Sequence, residues 1–286
     1  MTTINLANLN GSNGFRLDGV SPYDAVGNSV SNAGDVNGDG FDDVIIGTSK
    51  SNQNGTESGS SYVVFGTASG LNADVDLTSL NGSNGFRLDG TGQFERLGAS
   101  VSTAGDVNGD GLEDMIIGAR LTDRGSTSYG NSLGAGASYV VFGQTAGFNP
   151  VLDLSQLDGS NGFRLDGQSA INASGHVVSN AGDVNGDGFG DLIIGAPDPF
   201  SYLPEDTALQ SGDAYVVFGK ASGFSASLQL SSLTGTDGFQ VAGVGSDHFA
   251  AAVSSAGDIN GDGFGDVIIS ADGYYGDNSY VIFGKA

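Results

Sequence analysis

Cysteine is absent from the 286 residues, which removes disulfides, thiolate metal sites and a Cys nucleophile. Only two histidines occur, His176 and His248, far apart in sequence. A multi-His metal centre is therefore not expected, and His-based catalysis has few candidates. Basic residues are scarce: 9 Lys and Arg stand against 33 Asp and Glu, a formal net charge of -24. Phosphate backbones need a basic face and anionic lipid attracts basic segments, so neither nucleic acid nor an anionic membrane surface is an expected partner. No apolar run approaches the ~20 residues of a membrane span, so no membrane insertion is expected. The opening MTTINLANLN has no basic n-region and no apolar h-region, so no signal peptide is visible. Proline is only 5 and no Gly-X-Y period exists, which excludes collagen.

Glycine, in contrast, numbers 50. Each interior glycine costs a helix about 1 kcal/mol relative to Ala, so long helices are not expected. Apolar residues make up 38% and gather in short blocks such as VIIG and YVVFG, which argues against disorder.

Three blocks recur in one order. FRLDG starts at Phe15, Phe86 and Phe163, with a degenerate FQVAG at Phe239. GDVNGDGFDDVIIG starts at Gly34 and returns at Gly105, Gly182 and Gly257. SYVVFG starts at Ser61 and returns at Ser138, Ala214 and Ser279. The chain is thus four copies of one unit, with repeats over approximately 20–90, 91–167, 168–243, and 244–286 completed by 1–19. VIIG and YVVFG read as strands, being β-branched and aromatic runs bounded by turn residues. A small-residue strand carrying Val30, Val101, Val178 or Val253 precedes each Asp-rich loop. Each unit then has an inner strand A, the Asp loop, strand B, a variable loop, strand C and an outer strand D holding FRLDG. Four antiparallel strands per unit is the pattern of a propeller blade. The expected fold is all-β, a four-bladed β-propeller closed by the N-terminal strand, which would complete the last blade as its strand D. Eight blades from a homodimer is the alternative to the monomer, and a fragment of a longer array is a third reading.

The Asp loops carry the clearest chemistry. The first offers Asp35, Asn37, Asp39 and Asp43 at positions 1, 3, 5 and 9, with a backbone carbonyl from Phe41 at position 7. The second offers Asp106, Asn108, Asp110, Leu112 and Asp114. The third offers Asp183, Asn185, Asp187, Phe189 and Asp191, and the fourth Asp258, Asn260, Asp262, Phe264 and Asp266. Hard cations such as Ca²⁺ take 6–8 oxygen ligands, and this set is all oxygen. Four Ca²⁺ ions per chain are expected. Position 12 is Ile46, Ile117, Ile194 or Ile269 rather than a bidentate Glu, and the flanks are strands, so the loops are not EF-hands.

With these blocks in place, the repeat resembles the FG-GAP repeat of integrin α-subunit propellers and bacterial surface proteins. That family combines a Phe-Gly pair on an inner strand, a DxNxDGxxD calcium loop and a strand ending in Gly-Ala-Pro. Gly195-Ala196-Pro197 matches the last element fully and Gly118-Ala119-Arg120 in part, while Gly47-Thr48-Ser49 and Ser270-Ala271-Asp272 have drifted. The Phe-Gly pair has counterparts in Leu97-Gly98 and Phe249-Ala250 and is not evident in the other two copies. The resemblance implies an extracellular or cell-surface adhesion or protein-interaction module. A carbohydrate-binding lectin is the alternative, although it should repeat one sugar-stacking aromatic in every blade.

Antiparallel connectivity puts the Asp loops and the C–D turns on one rim, and the B–C and D–A loops on the other. The Asp loops are nearly constant, whereas the opposite loops vary. Arg120, Arg124, Tyr129, Phe200, Tyr202, Tyr274 and Tyr275 sit on the B–C loops; Tyr23, Phe94, Arg96 and His248 sit on the D–A loops. Variable loops on a rigid scaffold are where binding resides, so a protein or glycan ligand is expected there. No catalytic order of Ser, His and Asp repeats, and no enzyme is expected. The Arg and Asp of FRLDG, Arg16 and Asp18 in the first copy, are expected to form strand-end ion pairs or turns rather than a site.

Overall fold

A computed structural model describes residues 3–121, 134–168, 173–197, 211–244, 248–273 and 276–286. Among these residues the regular structure is β-strand, apart from single-turn 3-10 helices at Leu6–Asn8, Leu77–Ser79, Leu154–Gln156 and Leu230–Ser232. The strands begin with β1 (Arg16–Asp18), β2 (Ser29–Gly34), β3 (Asp43–Thr48), β4 (Ser60–Val64), β5 (Asp74–Asp76) and β6 (Gly85–Asp89). The second repeat supplies β7 (Leu97–Gly105), β8 (Asp114–Ala119), β9 (Ala137–Val141), β10 (Val151–Leu152) and β11 (Gly162–Asp166). The third supplies β12 (Val177–Gly182), β13 (Asp191–Ala196), β14 (Asp213–Val217), β15 (Ser227–Gln229) and β16 (Gly238–Ala242). The fourth ends the series with β17 (Phe249–Gly257), β18 (Asp266–Gly273) and β19 (Gly276–Ile282).

Each repeat forms one antiparallel blade in the expected order. Blade 1 runs β2-β3-β4-β6, blade 2 β7-β8-β9-β11 and blade 3 β12-β13-β14-β16. Blade 4 has three strands, β17-β18-β19. The continuous apolar runs VIIG and YVVFG are explained by burial on both faces of a blade, since successive side chains alternate between faces. Ile45 and Val63 of blade 1 share a core with Met115, Ile117, Tyr139 and Val141 of blade 2. Ile116 and Val140 turn the other way and pack with Leu192, Ile194 and Tyr215 of blade 3. Ile193 and Val216 continue the pattern against Val267 and Ile269 of blade 4. Stacked rings reinforce two blades: Phe86 and Phe148 have centroids 4.2 Å apart, and Phe163 and Phe224 4.6 Å.

The glycines at the inner seams have a steric cause. A Cβ on Gly47 would strike the carbonyl oxygen of Gly98, and one on Gly118 that of Gly175. Neighbouring blades therefore meet backbone to backbone near the axis. Gly27, Gly98, Gly175 and Ala250 all adopt left-handed backbone, with φ of 79°, 80°, 79° and 65°. The two Phe-Gly counterparts not evident in the sequence are thus Val26-Gly27 and Ser174-Gly175. Each glycine lies three residues before Val30 or Val178, the same offset as Gly98 to Val101, and that spacing was the available signal.

The structure corrects the expected closure. Among the described residues β1 does not join the last blade; its outer edge pairs in parallel with β5, with Arg16 opposite Asp74 and Asp18 opposite Asp76. The same arrangement joins β6 to β10 and β11 to β15. The outer edge of every FRLDG strand is thus taken by the segment that follows strand C in the next repeat. β1 obeys this local rule and sits beside blade 1, where Leu17, Val20 and Val26 pack against the buried cluster of Ile46, Tyr62, Val64 and Leu77.

Candidate functional site

The Asp loops join strands A and B: β2 to β3, β7 to β8, β12 to β13 and β17 to β18. In the first, Asp35 Oδ1 accepts from the backbone N–H of Gly38 at 2.8 Å and Asp39 at 3.0 Å, while its Oδ2 accepts from Gly40 at 2.8 Å. Asn37 Oδ1 accepts from the Asp39 N–H, and Asp39 Oδ1 from the Phe41 N–H. The Asn37 side-chain amide donates to Asp39 Oδ2. Gly38 and Gly40 permit the turn, with φ of 73° and 88°. Asp106, Asp183 and Asp258 each accept the same three backbone bonds in their own loops.

The position-9 carboxylates behave differently. Asp43 is buried; its Oδ2 accepts from the Val36 N–H and its Oδ1 from the Gly66 N–H at the end of strand C. Asp114 holds Val107 and Gly143, Asp191 holds Val184 and Gly219, and Asp266 holds Ile259 and Gly284. Each of these acids ties its loop to the adjacent strand. Asp43, Asp114 and Asp191 are pushed up to about 7, chiefly by burial and in smaller part by repulsion from the other two Asp residues of each loop. The two N–H bonds act in the opposite direction but do not overcome burial.

The residues brought together fit a hard cation. Every side-chain donor is oxygen, Oδ2 of Asp35 and of its three equivalents accepts only one hydrogen bond and keeps a second lone pair, and negative charge accumulates without a basic partner among the loop bonds. Among the described residues no three His, Cys, Asp or Glu side chains form a converged metal cluster. The loop carboxylates are turned instead toward backbone N–H groups, and Asn supplies one of the three short-range donors.

The opposite rim is more engaged than its sequence implies. Arg96 pairs with Glu57 at 2.6 Å. Arg120 Nη1 lies 3.4 Å from His176 Nδ1. His248, 7% exposed, pairs with Asp272 through Nδ1 at 2.6 Å. The two histidines, distant in sequence, therefore lie on one rim. Burial pushes His176 down to about 4, helped by the Arg120 charge and then by His248. Tyr23 is 94% exposed with φ 74°, whereas Phe94, its repeat equivalent at φ 62°, is half-buried. The buried acids Asp24 and Glu95 follow them, and Glu95 accepts the Tyr139 hydroxyl at 2.6 Å. Arg124, Tyr129, Phe200, Tyr202, Tyr274 and Tyr275 lie outside the described residues. The FRLDG ion pairs form as expected, Arg16 to Asp18 and Arg164 to Asp166 at 2.7 Å and Arg87 to Asp89 at 2.9 Å.

His176 supplies a pH test. Its folded value is below the ordinary 6.5, so its contribution is present above pH 6.5 and is lost as pH falls toward about 4. Urea midpoints of wild type should fall over that window more than those of His176→Gln. Parallel curves would show that His176 does not titrate as its burial dictates.

The FG-GAP repeat family model matches residues 26–64, 97–141, 174–217 and 249–283. Integrin alpha-4 of Xenopus laevis is 30% identical over 168 residues, covering 57% of this chain and 14% of the relative. Integrin alpha pat-2 of Caenorhabditis briggsae is 28% identical over 244 residues, covering 83% and 17%. Phosphatidylinositol-glycan-specific phospholipase D of Bos taurus is 31% identical over 177 residues, covering 62% and 19%. The chain spans less than a fifth of the length of these relatives. Among the described residues no helix is long and apolar enough to cross a membrane.

Proposed function

Because the chain belongs to the FG-GAP repeat family, we propose that it is a calcium-binding β-propeller module that docks a protein partner outside the cell or at its surface. The carrying observation is a contrast between rims. The four Asp loops repeat one hydrogen-bond frame, while the opposite loops differ in sequence and length from repeat to repeat. Repetition suits a structural ion; divergence suits a single recognition surface. Asp35, Asn37, Asp39, Asp43 and the Phe41 carbonyl would hold one ion, with their equivalents holding three more. The ion supplies positive charge that offsets the clustered carboxylates. The integrin relatives support an adhesion role, and millimolar extracellular calcium suits loops of this class. The phospholipase D similarity does not bring that enzyme's reaction to this chain.

Among the described residues Tyr23 is the most exposed aromatic of that rim, and aromatic anchors typically cost at least about 2 kcal/mol on truncation. Immobilised protein probed with purified matrix and cell-surface proteins should therefore lose at least about 30-fold in affinity with Tyr23→Ala, with melting unchanged. If binding persists in that variant but disappears on changing the Asp loops of a still-folded protein, the recognition surface is the other rim.

A further inference from the structure

Blade 4 leaves open a face and an edge that the preceding blades close. Ile268, Val281 and Ile259 are 37%, 39% and 59% exposed, whereas their equivalents in blade 1, Ile45, Val63 and Val36, are 0% exposed beneath blade 2. In blades 1 to 3, strand C receives an antiparallel fourth strand, with Tyr62 opposite Arg87, Tyr139 opposite Arg164 and Tyr215 opposite Gln240. Among the described residues β19 pairs with β18 alone, and Tyr280 is 37% exposed.

β1 has the converse deficit. It is an FRLDG strand whose outer edge is taken by β5, but no strand C lies on its other edge among the described residues. The Arg16 side chain is 63% exposed, against 28% for Arg87. Arg164, its counterpart in blade 2, lies 5.9 Å from the Tyr139 ring centroid. A third pair of loose ends lies at the Asp loops. Leu112, Phe189 and Phe264 each cover a glycine of the preceding blade, Gly38, Gly109 and Gly186, while Phe41 is 41% exposed and nothing lies over Gly261.

We propose that two copies of this chain associate head to tail, the β1 strand of each adding to β19 of the other as its missing fourth strand. Arg16 then stands opposite Tyr280, and Phe41 covers Gly261. The same backbone ladder and apolar contacts that hold blades 1 to 3 complete blade 4. A second copy is the matching occupant because one chain carries both the open edge and the strand that fits it, and the two are not paired within that chain. Two such heterologous contacts close a ring of eight blades, inside the range of four to eight that propellers adopt. Pairing also removes an exposed edge and apolar face that would otherwise promote aggregation.

Sedimentation of the wild-type chain should give twice the 28.6 kDa of one chain. The chain has no cysteine, so Arg16→Cys with Tyr280→Cys gives a specific cross-link. Directly opposed residues in an antiparallel pair have Cα atoms about 4.5–5.5 Å apart, within disulfide reach. Both side chains are exposed in one copy, Tyr280 keeping one edge contact with Phe249, so the substitutions remove little packing. Oxidation should yield a covalent species of two chains. A wild-type mass of one chain, a disulfide formed inside one chain, a ladder of larger species, or a two-chain wild type that forms no such disulfide would each overturn the proposal.

Discussion

Chelation of calcium should lower the melting temperature by about 20 °C or more. Ligand at a free concentration of 100 Kd stabilises by about 2.7 kcal/mol per site, so four sites in one cooperative unit amount to about 11 kcal/mol. Each kcal/mol corresponds to about 2–4 °C for chains of 150–250 residues. The cause is electrostatic: three Asp in each loop are held within a few residues, and four divalent ions change the formal charge of -24 to about -16. Calorimetric melting with calcium, and then with excess EDTA, measures the shift. Titration of stripped protein should give four ions per chain. An unmoved melting curve, or no calcium uptake, would rule out structural calcium.

Replacing Asp114 by Ala should destabilise by about 2–6 kcal/mol, even in EDTA. The carboxylate is buried and accepts the backbone N–H groups of Val107 and Gly143. Each buried donor left unsatisfied costs about 1–3 kcal/mol. Asp106 is more solvent-accessible and its bonds stay within the loop, where water replaces them. Asp106→Ala should therefore remove about a quarter of the calcium dependence, one site of four, while lowering stability in EDTA by less than Asp114→Ala does. Urea denaturation of both variants with and without calcium separates the two roles. Equal losses in EDTA would mean that position 9 does not tie the loop to strand C.

The candidate loops were legible because their chemistry is local. Asp35 reaches Gly38, Asp39 and Gly40 within five residues, so sequence spacing alone defines the turn. The second role of Asp43 was not legible. Its partner Gly66 lies just beyond β4, 23 residues away. The rim anchors were over-read for the same reason: Arg96 finds Glu57 across 39 residues, and His248 is buried against Asp272. Sequence marks these side chains as polar and loop-borne but says nothing of who meets them.

By itself the sequence determined the all-β blades, their number and order, and the Asp loops. Those features follow from alternating burial along strands and from turn chemistry within about ten residues, and four copies repeat each signal. Tertiary structure decided which glycines meet at the seams, which rim charges are paired, and where β1 goes. An FRLDG strand has two hydrogen-bonding edges, and its sequence is the same whichever is filled. In β6 and β11 both edges are filled; packing placed the outer edge of β1, because β5 lies beside the apolar face formed by Ile46, Tyr62 and Val64 and Leu17 joins that cluster as β1 pairs with β5.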